Sequence, residues 1–102
     1  MQCRLLMRFY LVLFRYNEKW NVHVYEHDFT DYTKSSLDSW LREAAVHAVE
    51  LQKLQSESCS FIEEAQLWEI GCKENTITGE GFTFLKIMPE AAVANIPLIN
   101  HG

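Results

Sequence analysis

Proline and glycine are scarce, two and four in 102 residues, which excludes collagen-like and linker-type chains. Cysteine is limited to Cys3, Cys59 and Cys72. That odd set contains no C-x-x-C pair, so neither a disulfide framework nor a zinc ribbon is expected, and a reducing cytoplasm fits best. A run of about 20 apolar residues, the length needed to span a bilayer, is missing. The apolar stretch from Leu5 to Tyr16 is interrupted by Arg8 and Arg15 and is followed by no small-residue cleavage site, so a signal peptide is not expected either. Positive charge is also short: nine Lys and Arg stand against fourteen Asp and Glu, a net charge of -5. Such a balance disfavours binding to a phosphate backbone. Arg4, Arg8, Arg15 and Lys19 do gather near the start, but a single basic strand cannot line a nucleic-acid groove.

What is present is a core. Hydrophobic residues make up 48% of the chain and aromatic residues 13%, enough for one α+β domain over residues 1–102 without metal or disulfide staples. Met7 is a second candidate initiator, which would make residues 1–6 an extension.

Leu5, Met7, Phe9, Leu11 and Leu13 recur at a spacing of two and predict a first strand with one strongly apolar face. Its other face carries Arg8, Tyr10, Val12, Phe14 and Tyr16. After Asn17 and Glu18, the alternation of Trp20, Val22 and Val24 with Asn21, His23, Tyr25 and His27 predicts a second strand. A two-residue loop sets Leu13 opposite Val22 and Leu11 opposite Val24, and on the other face Val12 opposite His23, Tyr10 opposite Tyr25 and Arg8 opposite His27.

Ser35 and Asp38 resemble a capping box, and a helix is expected from about Ser36 to Gln55. Its apolar stripe is Leu37, Trp40, Leu41, Ala44, Ala48, Leu51 and Leu54. The stripe is expected to pack on the apolar face of the first strand, which places Leu11 and Trp40 in the helix–sheet core. A third strand is predicted over Ala65 to Cys72. The alternative there is a short helix capped by Ser60 and Glu63. Phe82 to Met88 predicts a fourth strand, and Pro89 to Ala94 a short C-terminal helix stopped by Asn95 and Pro97. The expected fold is α+β: a four-stranded antiparallel sheet in the order β-hairpin, long helix, β-hairpin, with the long helix on one face.

One string resembles a catalytic motif. His23-Val24-Tyr25-Glu26-His27 fits H-x-x-E-H, the pattern of inverted zinc metalloproteases. Two histidines four apart converge on one metal only on a helix, whereas on a strand they lie about 13 Å apart. The alternating valines predict a strand, so no metal site and no cofactor is expected. Cys59 has Glu57, Glu63 and Glu64 as sequence neighbours, and carboxylates oppose thiolate formation.

The candidate binding surface is instead the second face of the hairpin: Arg8, Tyr10, Val12, Tyr16, His23, Tyr25 and His27. Tyrosine and arginine bury large areas at low entropic cost and keep a polar handle, the character of interaction hot spots. The alternative is a pocket between sheet and helix that uses His47 and Glu43. The element order resembles that of many small bacterial proteins, among them antitoxins, immunity proteins and products of mobile gene cassettes, and order by itself assigns no function. A cytoplasmic, non-catalytic protein-interaction module acting as a homodimer is the expectation, with a small-ligand binder or minor enzyme as the alternative. The partner is an unidentified protein or small ligand, with no membrane association.

Overall fold

The computed structural model describes residues 8–29, 33–72, 82–87 and 93–98. The architecture is α+β, an antiparallel sheet with one α-helix packed on one face. In chain order the elements are β1 (Arg8–Tyr16), β2 (Lys19–His27), α1 (Lys34–Leu51), β3 (Phe61–Cys72), β4 (Phe82–Lys86) and β5 (Val93–Pro97). The sheet runs β2-β1-β3-β4, and β5 also pairs with β3. Because β4 takes the stretch from Trp68 to Cys72 and β5 the stretch from Phe61 to Ala65, the two short strands follow one another along the same edge of β3.

The first hairpin has the expected register, including Leu13↔Val22, Val12↔His23, Tyr10↔Tyr25 and Arg8↔His27. Asn17 and Glu18 both lie in the left-handed region, at φ 53 and 66. This is the primed two-residue turn whose twist matches that of the flanking strands. Asn tolerates the conformation, but Glu does so only at a cost, and its backbone N–H donates to Glu63 Oε1 at 3.1 Å. Glu18→Gly removes the Cβ penalty and keeps that hydrogen bond. It is expected to raise the unfolding free energy by about 1 kcal/mol, measured by urea denaturation; a loss would show that the Glu18 side chain itself holds the turn.

The helix begins two residues earlier than the sequence suggests, at Lys34, and ends sooner, at Leu51. Thr33, not Ser35, is the N-cap: its hydroxyl oxygen accepts from the Ser36 N–H at 3.1 Å. At the other end Lys53 adopts φ 54, and the N–H groups of Lys53 and Leu54 return to the carbonyls of Glu50 and Val49 at 3.1 and 3.0 Å. These are the two reverse bonds of a Schellman ending. No glycine marks it, so the sequence signal was absent. The buried stripe is Leu37, Leu41, Ala44, Ala45, Ala48 and Val49, rotated from the expected one, and Leu51 is 51% exposed.

The faces of the sheet are reversed from expectation. Tyr10, Val12 and Phe14 are fully buried with Leu41, Ala45, Ala48, Ile62, Ala65 and Leu67, while Phe9, Leu11 and Leu13 on the other face are only partly covered. The reason is steric. Small residues at Ala44, Ala45 and Ala48 leave room for wide rings beneath the helix, and aliphatic content alone does not register that fit. Helix α1 packs on β1, β3 and β5.

Phe61–Cys72 is a strand along its whole length, paired with β1 from Glu64 to Ile70, which removes the short-helix alternative. Of the expected C-terminal helix, residues 89–92 lie outside the described residues, and Val93 and Ala94 belong to β5. Asn95 at φ 55 bends β5, so that Val93 and Ile96, three apart, both reach the core at 5% and 2% exposure.

Candidate functional site

The residues of the expected aromatic contact face lie largely under the helix. Tyr10 and Val12 are fully buried, and Tyr16 is nearly so. The Tyr16 hydroxyl donates to the Cys59 carbonyl at 3.0 Å and accepts from the Ser56 N–H at 2.9 Å, tying the loop after α1 to the end of β1. Tyr25 stretches below the helix and donates its hydroxyl to the Ala44 carbonyl at 2.8 Å. Trp40 meets Tyr25, His27 and Phe29 edge-on at centroid distances of 5.5, 5.3 and 5.0 Å, and His27 stacks on Phe29 at 4.2 Å. The buried His27 Nδ1 has no hydrogen-bond partner. His23 leans on Tyr25 at 4.6 Å and lies with its Nδ1 3.2 Å from Gln52 Nε2. Arg8 stays exposed at the strand end and pairs with Glu69 at 3.2 Å.

Burial pushes the Tyr25 hydroxyl from its ordinary 10.0 up to about 12. The folded protein therefore keeps the phenol proton to higher pH than the unfolded chain does. The associated stability is complete below pH 10.0 and is lost as the pH climbs toward about 12. Over that window the stability difference between wild type and Tyr25→Phe is expected to shrink. Denaturation series at several alkaline pH values check this, and a constant difference would contradict the bonded, buried phenol.

His47 and Glu43, the alternative pocket, stand exposed on the outer side of α1. With Arg42, Glu50, Val46 and Ile96 they line an open groove of about 430 Å³ between the helix and β5. A second groove of about 340 Å³ borders Cys59 and Leu98. Neither brings a thiol or hydroxyl nucleophile against a histidine among its lining residues. Among the described residues no group of three His, Cys, Asp or Glu side chains is placed to hold a metal ion. No helix among them is long and apolar enough to cross a membrane.

The feature that sequence reasoning placed inside is the opposite face of the sheet. Trp20, Val22 and Val24 on β2 are 49%, 51% and 53% exposed. Leu13 and Leu11 stand opposite Val22 and Val24 on β1, and Leu11 is flanked on its other side by Trp68 of β3. Phe9 and Ile70 continue the patch toward β4, as opposed residues of antiparallel neighbours project to the same side. Three polar side chains on this face have partners. Trp68 Nε1 donates to Gln66 Oε1 at 3.1 Å, Gln66 Nε2 donates to Glu64 Oε2 at 2.9 Å, and Arg15 lies 3.9 and 3.7 Å from the Glu64 and Glu63 carboxylates. Arg15 also sits over the Trp20 ring at 5.9 Å.

The neighbouring edge of β2 is partly closed. In a two-residue hairpin the pair flanking the turn is hydrogen-bonded, so even-numbered residues of β2 aim their backbone groups away from β1. The outward carbonyl of Val22 accepts from Gln52 Nε2 at 2.9 Å, which plugs the middle of that edge. Comparisons with protein-family models, curated proteins and solved structures return no significant match.

Proposed function

We propose that the protein is a protein-interaction module whose contact surface is the open face of β2, β1 and β3. The observation that carries this is the contiguous exposure of Trp20, Val22 and Val24 beside Leu11, Leu13 and Trp68. Exposed apolar residues scattered singly are ordinary, whereas a contiguous patch marks a site of association. Satisfied polar groups around the patch support the same reading. The Trp68 indole, the Gln66 amide and the Arg15 guanidinium already have partners, so covering this face strands none of them without one.

A contact surface contributes little to the stability of the isolated chain. Val24→Glu is therefore expected to change the unfolding free energy by less than about 1 kcal/mol, as at other exposed positions. Urea denaturation at a dilution where wild type and variant are both monomeric checks it. A loss of several kcal/mol would mean that another part of the chain covers the face, which would then be interior.

A further inference from the structure

We propose that the occupant of this face is a second copy of the chain, stacked so that two sheets lie between two helices. The proposal rests on the reading of the open face as a contact surface and adds the identity of the partner. Four observations point to self-association. First, among the described residues one helix covers one side of the sheet, and a sheet with two apolar faces is completed when each is buried against another layer. A copy of the same sheet supplies that layer with an identical twist, which lets sheets stack with their strands within about 30° of each other.

Second, the area suits it. Three strands about 4.8 Å apart and about 30 Å long present roughly 400 Å² in projection. Side-chain relief raises the accessible area above the projection, so two copies bury on the order of 1,000 Å², the lower bound for a specific interface. Third, the chain carries a net charge of -5, which opposes approach of two copies except through a neutral patch. The centre of this face, formed by Val22, Val24, Leu11 and Leu13, contains no ionised group; at one end Arg15 is paired with Glu63 and Glu64, and at the other the exposed Glu26 stands opposite Phe9 at the rim. Fourth, the competing route, pairing β2 edge to edge, is obstructed where Gln52 occupies the Val22 carbonyl.

Sedimentation velocity on the full chain, from about 1 to about 100 μM, tests the proposal, since an interface of this size holds in the micromolar range. The expected result is a reversible dimer of the 11.9 kDa chain. Raising the salt concentration should leave it intact, because its centre is uncharged. Val24→Glu is expected to weaken it by about tenfold or more, as an unpaired carboxylate would be buried. Leu51→Glu, at the exposed apolar residue of α1, should leave it unchanged. Hydroxyl-radical oxidation of Trp20 and Trp68, read by mass spectrometry, separates the failures. A monomer with both indoles oxidised would overturn the second copy and leave the face open to a different protein. A monomer with both protected would overturn the contact surface itself. A dimer broken by Leu51→Glu and not by Val24→Glu would place self-association on the helix and overturn the proposal.

Discussion

Phe14→Ala is expected to lower the unfolding free energy by about 3–5 kcal/mol, the usual range for a buried phenylalanine cut back to alanine. Leu11→Ala, three residues earlier on the same strand, is expected to cost only about 1 kcal/mol in the monomer, because the leucine is only partly removed from water on folding. Phe14 is fully enclosed under the helix, opposite Ala65 on β3 and in one cluster with Ala45, Ala48 and Val49. A cavity there cannot be filled by collapse, because the surrounding side chains are short and the helix is held at both ends by its cap and its Schellman turn. Leu11 faces the open side beside Val24 and Trp68. Its loss is expected to show in association, through a weaker dimer, and little in the folding of one copy. Chemical denaturation of both variants at low concentration gives the comparison. Equal costs would mean that the two faces of β1 are equally enclosed.

The contrast between these two positions shows where the sequence is informative. The hairpin register was legible because a spacing of two and a two-residue loop leave only one alignment that keeps apolar residues together. The position of the helix and the presence of four of the strands were legible for similar reasons of period. Which face of the sheet meets the helix was not. Leu11 and Leu13 look more interior than Tyr10 and Tyr16 on any scale that scores a hydroxyl as polar. Yet each phenol of Tyr16 and Tyr25 reaches a backbone carbonyl at the core margin, which lets the ring be buried at little cost. The aliphatic face is left over. Its apolarity, the strongest signal in the sequence, belongs to the face that the helix does not cover. Tyr10, Val12 and Tyr16, expected as contact residues, are interior for the same reason. The ends of α1 were illegible for a different cause: Lys53 occupies a left-handed position that ordinarily announces itself as glycine.

Trp40→Ala is expected to cost about 3 kcal/mol, near the low end for a tryptophan because its side chain is partly exposed. The indole is the hub of the aromatic group that joins α1 to the outer hairpin strand. It meets Tyr10, Tyr25, His27 and Phe29 at centroid distances of 6.4, 5.5, 5.3 and 5.0 Å, all in edge-to-face arrangements. Such pairs contribute about 0.5–1.5 kcal/mol each beyond the area they bury. The contributions are not additive here, because the rings also touch one another: Tyr10 meets Phe29 at 4.9 Å and His27 stacks on Phe29. The consequence is local as well as global. The α1 packing contacts run to β1, β3 and β5, so β2 is joined to the helix mainly by the reach of Tyr25 and by these rings. Removing the indole is expected to speed amide hydrogen exchange in Tyr25 to Phe29 more than in β3. Trp40→Phe should recover much of the loss, since a six-membered ring can still present an edge to Tyr25 and Phe29. A double-mutant cycle with Phe29→Ala is expected to give a coupling of about 0.5–1.5 kcal/mol. Purely additive losses would mean that Trp40 acts only through the area it buries, and the attachment of β2 to the helix would then rest on Tyr25 and on the Gln52 contacts with Val22 and His23.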